Sequence, residues 1–205
     1  MILLPQPASL SYGEGTFTIH YNSRIFLDSE SPASLYFAAQ LLQQEIEKQT
    51  GFCLAICRRH QPLGGHLIYL TTSPELSRES YTLTVTSERV TICGSPESGV
   101  LYGVQTLRQM IRQAGAVLPS VLISDSPAME NRGFYHDVTR GRVPTLSYLK
   151  QLADTLSFYK INQLQLYIEH SYLFDDLTEM WRDDTPLTAK DILELDRYCK
   201  DLGID

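Results

Sequence analysis

The chain has 205 residues, enough for one large domain or two small ones, and with 43% hydrophobic residues and no low-complexity tract it can build a core. A formal net charge of −7 without Lys/Arg runs argues against nucleic acid or an anionic membrane as partner. No apolar run approaches the roughly 20 residues that span a bilayer. Met1-Ile2-Leu3-Leu4-Pro5 is too short, and lacks the basic flank, to read as a secretory signal. The four cysteines, Cys53, Cys57, Cys93 and Cys199, match no zinc or redox spacing. A reducing, cytoplasmic setting is therefore expected.

In chain order, the turn-forming Tyr12-Gly13-Glu14-Gly15 precedes Thr16-Phe17-Thr18-Ile19-His20, whose period-two alternation predicts a strand. Ser31-Pro32 predicts a helix start, with Ser31 as N-cap and Pro32 in the first turn. Leu35, Ala38, Leu42 and Ile46 follow at helical spacing, and Gly51 closes the helix. Strand-like runs come next at Phe52 to Cys57, His66 to Thr71 and Tyr81 to Val85. Cys53 and Cys57 read as apolar fillers of the first of these. Glu88-Arg89 then turns the chain into Val90-Thr91-Ile92-Cys93.

A second helix is predicted from about Ser98, with Val100, Val104, Leu107 and Ile111 on one face and Gly115 as its stop. Val117 to Ile123 is a further strand, and Asp125-Ser126-Pro127 marks a domain boundary. Residues 1–127 are expected to form an α+β domain, a sheet carrying two helices.

From Arg132 onward strand and helix alternate. Phe134 to Val138 predicts a strand, and Leu149, Leu152, Ala153, Leu156 and Tyr159 the apolar face of a helix. Asn162 to Ile168 predicts a second strand. Thr188, with Asp191 as capping-box partner, starts a helix whose inner face is Ile192, Leu195, Cys199 and Leu202, and Gly203 ends it. Ile204-Asp205 would open a third strand. Short parallel strands with helical crossovers imply a doubly wound sheet or a barrel, with chemistry at the carboxyl ends of the strands. Residues 128–205 are far short of the ~250 a barrel needs. The expectation is an incomplete barrel whose open edge invites self-association.

Several ordered motifs carry a resemblance. They are Leu4-Pro5-Gln6-Pro7, Tyr12-Gly13-Glu14-Gly15, and Gly94-Ser95 through Gly99-Val100-Leu101-Tyr102-Gly103-Val104-Gln105-Thr106-Leu107-Arg108-Gln109. Ile123-x-Asp125-x-Pro127, Arg132-Gly133, Asp137-x-x-Arg140 and Tyr159-Lys160-Ile161-Asn162 continue the series. Together they resemble the family-20 glycoside hydrolases, the β-N-acetylhexosaminidases. The resemblance implies an accessory α+β domain followed by the first βαβα units of a truncated (β/α)8 TIM barrel. It also implies retaining, substrate-assisted removal of terminal N-acetylhexosamine, in which the substrate's acetamido oxygen is the nucleophile. The partner so implied is a glycan or glycoconjugate, and no cofactor or metal is needed. The family's adjacent Asp-Glu pair, at the end of the fourth strand, would lie beyond Asp205. No acid in these residues is therefore assigned the catalytic role, and the 205 residues alone are expected to be inactive.

Four residues are candidates for substrate binding. Arg140 offers a rigid fork of donors that suits two adjacent sugar hydroxyls; the matching family position grips the non-reducing sugar, while the plainer reading is a surface ion pair. Asp137 either braces Arg140 or lines the pocket. Arg132, at the opposite end of the strand, reads as structural. Typical members carry His-x-His-x-x-Asp after strand two, whereas this chain has Gln165-x-Tyr167-x-Glu169-His170, closer to a divergent branch that includes hexosaminidase D-like proteins. Glu169 is expected to hydrogen-bond a sugar hydroxyl and His170 to stack on a ring, or both to support the pocket from behind. Metal ligation by the pair is disfavoured, because adjacent strand side chains point to opposite faces. Tyr172, Phe174 and Trp181 on the following loop either stack on sugar or cover the core, and the acidic residues around them (Asp175, Asp176, Asp183, Asp184, with Arg182) read as a solvated loop. The rival from another class is a non-catalytic carbohydrate-binding or scaffolding module that uses the first domain alone.

Overall fold

Apolar residues at every second position make half-buried strands of Tyr81–Val85 (β5) and Arg89–Gly94 (β6), whose buried members Tyr81, Leu83, Val85, Val90 and Ile92 face one core. The computed structural model describes residues 1–59, 65–96, 98–177, 179 and 185–205. They form two compact units, Met1–Ala128 and Met129–Asp205.

The first unit is a seven-stranded mixed sheet. Its other strands are β1 (Ser9–Thr18), β2 (Arg24–Leu27), β3 (Ala55–Arg58), β4 (Leu67–Thr72) and β7 (Val117–Asp125), in the order β1-β7-β5-β6-β4-β2-β3. The β2–β3, β2–β4 and β4–β6 pairs are parallel, and the β1–β7, β5–β7 and β5–β6 pairs antiparallel. Two helices, α1 (Leu35–Thr50) and α2 (Gly99–Ala114), pack together against the sheet. The predicted apolar faces are the buried ones: Leu35, Ala38, Leu42 and Ile46 on α1, and Val100, Val104, Leu107 and Ile111 on α2. Gly51, at φ 76°, closes α1 in the left-handed conformation. Between the helices, Glu45 lies buried under Arg108 (3.1 Å) and Arg112 (2.7 Å).

In this unit three expectations are corrected and one strand, β2, was not foreseen. Tyr12-Gly13-Glu14-Gly15 lies inside β1 rather than before it; its pairing with β7 shifts between Tyr12 and Thr16, and Gly15 at φ 86° makes the residues a bulge, not a turn. The N-cap of α1 is Ser34, because residues 32–36 first form a turn through Leu35 N–H to Pro32 O and Tyr36 N–H to Ala33 O. β2 escaped the periodicity because it is four residues long and all but Arg24 are buried. Cys53 precedes β3 and is exposed, while Cys57 sits within the strand, half-buried.

The second unit is a strand–helix–strand–helix series: β8 (Gly133–Asp137), α3 (Leu146–Phe158), β9 (Gln163–Tyr167) and α4 (Ala189–Asp201). β8 and β9 pair in parallel, Gly133 opposite Gln163 and Asp137 opposite Tyr167. Leu149, Ala153 and Leu156 are buried as predicted; Tyr159 is not, since α3 ends at Phe158 and leaves it 42% exposed. The capping box forms in full: Thr188 Oγ1 accepts from the Asp191 N–H, and Asp191 accepts from the Thr188 N–H. Arg132 donates Nε to the Lys160 carbonyl and Nη1 to those of Met129 and Glu130, a scaffold role at the amino end of β8.

After α4 the chain turns back to the free edge of β9. The Asp205 N–H donates to the Asn162 carbonyl (3.0 Å) and the Leu164 N–H to the Asp205 carbonyl (2.9 Å). That is the pattern of a parallel ladder, so Asp205 sits opposite Gln163 as a third strand would.

Candidate functional site

β8 and β9 run in parallel and finish level, so Asp137 and Tyr167 arrive side by side at the carboxyl end of the pair. Two-residue periodicity puts Tyr135, Asp137, Gln165 and Tyr167 on one face, and Phe134, His136, Leu164 and Leu166 on the other. The rings of His136 and Tyr148, the latter on α3, lie 6.1 Å apart, so the second face is the helix-covered one.

Asp137 organises the turn after β8. Its Oδ1 accepts from the backbone N–H groups of Thr139 (2.9 Å) and Arg140 (3.0 Å), and its Oδ2 from Arg140 Nη1 (3.2 Å). The two backbone donors, then the Arg140 charge, hold the Asp137 carboxyl below the usual aspartate range. Asp137 is thus charged at neutral pH and unsuited to donate a proton.

The Arg140 Nη2 donates to the Tyr167 hydroxyl (3.3 Å) and to Glu169 Oε1 (3.4 Å), and the guanidinium lies 5.0 Å from the centre of the Tyr167 ring. Tyr167, Asp137 and Glu169 all favour its charged form. The Tyr167 hydroxyl in turn donates to Glu169, which raises the phenol above its ordinary range. Beneath them, buried Thr139 accepts from the Glu169 N–H (2.9 Å) and its hydroxyl lies 3.2 Å from that of buried Ser171. The loops after both strands are joined there, while 69% of the Arg140 side chain stays exposed above.

Arg140, Asp137 and Glu169 therefore come together, and His170 does not. It is exposed, and among the described residues no hydrogen bond or ion pair joins it to the cluster. Tyr172 and Phe174 stack edge to face at 4.8 Å and line an open, largely apolar cavity of about 450 Å³ with Leu164, Leu166, Ile168 and α4, on the helix-side face of β9. They do not join Arg140. Trp181, Arg182, Asp183 and Asp184 lie outside the described residues. Tyr167 and Thr139 are the members without an assigned role in the sequence reading. Tyr167 stands level with Asp137 only through the register of β8 on β9.

Chemically, the cluster is an exposed, always-charged fork of donors flanked by two carboxylates, a surface suited to neighbouring hydroxyls that both donate and accept. Among the described residues no three His, Cys, Asp or Glu side chains converge to hold a metal ion, and no helix is long and apolar enough to cross a membrane.

Residues 1–126 match the profile of glycosyl hydrolase family 20, domain 2. The chain belongs to this family. One relative, the Beta-hexosaminidase of Vibrio furnissii, is 31% identical over 184 residues, covering 88% of this chain and 27% of its own. The Beta-hexosaminidase of Porphyromonas gingivalis is 28% identical over 88% of this chain and 23% of its own. This family-20 chain thus spans about a quarter of the length of such relatives. Among solved structures, the family-20 β-N-acetylhexosaminidase of Streptomyces coelicolor superposes with a TM-score of 0.84 at 24% identity, over 99% of this chain and 44% of that one. At that identity the likeness speaks for the fold.

Proposed function

We propose that these residues are the accessory domain and the opening of the catalytic (β/α)8 barrel of a β-N-acetylhexosaminidase, and that Arg140 grips the terminal N-acetylhexosamine of a glycan. The observation that carries this reading is the Arg140 guanidinium, fixed by Asp137 and Glu169 at the level ends of two parallel strands. Asp137 braces the arginine and Glu169 offers an acceptor to a sugar hydroxyl. Asp205, paired as a third strand, and the apolar cavity beside it are where further barrel elements would dock. Names of relatives support the substrate class; one solved neighbour, a mutant Streptomyces plicatus beta-hexosaminidase, is in complex with the product GlcNAc.

The reaction in this reading is retaining and substrate-assisted. The acetamido oxygen attacks the anomeric carbon, and a carboxylic acid outside these 205 residues protonates the leaving oxygen. Four unpaired cysteines support a reducing cytoplasm as its compartment.

The test is hydrolysis of a chromogenic N-acetyl-β-glucosaminide by the full-length parent. Arg140→Ala should lower kcat/KM about 100-fold, the loss of charge-assisted hydrogen bonds worth about 2–3 kcal/mol. Residues 1–205 alone should give no turnover. A parent inactive on both N-acetylglucosaminides and N-acetylgalactosaminides at every pH would sink the reading.

A further inference from the structure

We infer that Tyr167 is the positioning residue of the strand-end cluster, acting through Glu169 to present one carboxylate oxygen to the substrate sugar. The inference rests on the hydrolase reading above and adds a residue to it. Tyr167 closes β9 opposite Asp137, so a strand rather than a loop carries its ring. Its hydroxyl lies between the cation and the carboxylate, accepting from Arg140 Nη2 (3.3 Å) and donating to Glu169 Oε1.

The direct contact of Arg140 with Glu169 is a weak hold on the carboxylate. It is 3.4 Å long, and the two side chains are 69% and 47% exposed. Water screens such a pair, and fixing two long side chains offsets much of its attraction. A tyrosine has only two side-chain torsions to fix. This ring is also packed, with the guanidinium 5.0 Å from its centre and the ring of Tyr135, on β8, 5.9 Å away. The hydrogen bond to Glu169 raises the phenol, so its proton stays in place through the neutral range.

Both donors that reach the Glu169 carboxylate, the phenol and Arg140 Nη2, go to Oε1. Among the described residues Oε2 has no partner. Tyr167 thus pins one oxygen and leaves the other to accept from a sugar hydroxyl. Filling the core needs only the ring. The hydroxyl, by contrast, is spent on two exposed polar side chains.

The experiment is a double-mutant cycle in the full-length parent, read by hydrolysis of a chromogenic N-acetyl-β-glucosaminide. Tyr167→Phe keeps the ring and loses the hydroxyl. KM should rise about tenfold, with kcat within about twofold of wild type and the melting temperature unchanged. In a Glu169→Ala background the same substitution should change KM less than about twofold, because Tyr167 acts through that carboxylate. Side-chain NMR of the 205-residue chain reads the link without turnover. The Glu169 methylene signals should show restricted motion in the wild type and free motion in Tyr167→Phe. A KM untouched by Tyr167→Phe, additive effects in the cycle, or a Glu169 equally mobile in both chains would overturn the inference. A wild-type parent without activity would instead sink the hydrolase reading, and the NMR comparison would still decide whether Tyr167 positions Glu169.

Discussion

The two oxygens of Asp137 serve different ends, one holding the backbone of the turn and the other the guanidinium of Arg140. Because its carboxyl titrates below the usual aspartate range in the folded chain, its contribution is complete above the unfolded value of about 3.9 and fades as pH falls through the lower folded value. The Arg140 side-chain NMR signals should therefore hold constant from neutral pH down to about 5 and move only in stronger acid. A shift centred near neutrality would contradict this. Glu45 is the buried counterpart. Burial alone would raise its carboxyl, but the hydrogen bonds from Arg112 and Gln49 and the charges of Arg108 and Arg112 outweigh it, and the net direction is down. Glu45→Ala would remove the buried carboxylate that Arg108 and Arg112 share between α1 and α2. Urea unfolding should show a loss of about 3 kcal/mol.

At the scale of elements, the junction of β6 and α2 explains the glycines of the Gly94-to-Gly103 run. A Cβ on Gly99 would run into the Ser80 carbonyl oxygen, and one on Gly94 into the first turn of α2 at Val100. On Gly103 it would meet Ile92 and Tyr81, the strand side chains on which the helix rests. Gly99→Ala should cost about 2–3 kcal/mol in thermal or urea unfolding, since the obstacle is backbone. Wild-type stability in that variant would mean the helix can shift away. The helices were legible because their apolar faces repeat at 3.6 residues and their stops are plain, Gly51 and Gly115. What was illegible had a local cause. A bulge with two glycines reads as a turn until the partner strand is known, and β2 is too short to show a period. At the strand-end cluster the charged members stood out as types, whereas Tyr167 and Thr139 take their places only through the register of β8 on β9.

For the molecule as a whole, the second unit leaves Leu164, Leu166 and Ile168 facing an open cavity, and Leu193 on α4 is 66% exposed. Residues 1–205 in isolation should self-associate, with a sedimentation mass that rises with concentration and falls back in Leu166→Glu. A mass fixed at one protomer across the range would count against it. The large sheet poses the opposite question, because among the described residues its outer strands, β1 and β3, each pair with a strand on one side only. Its answer is written in their lengths and breaks. β3 is four residues long, and the bulge divides the pairing of β1 into Ser9–Tyr12 and Thr16–Thr18. An incoming strand would find a template of three or four residues on either side before losing step. The first unit should thus be resistant to zipping onto copies of itself, and any fibril-prone behaviour of the chain would have to begin elsewhere.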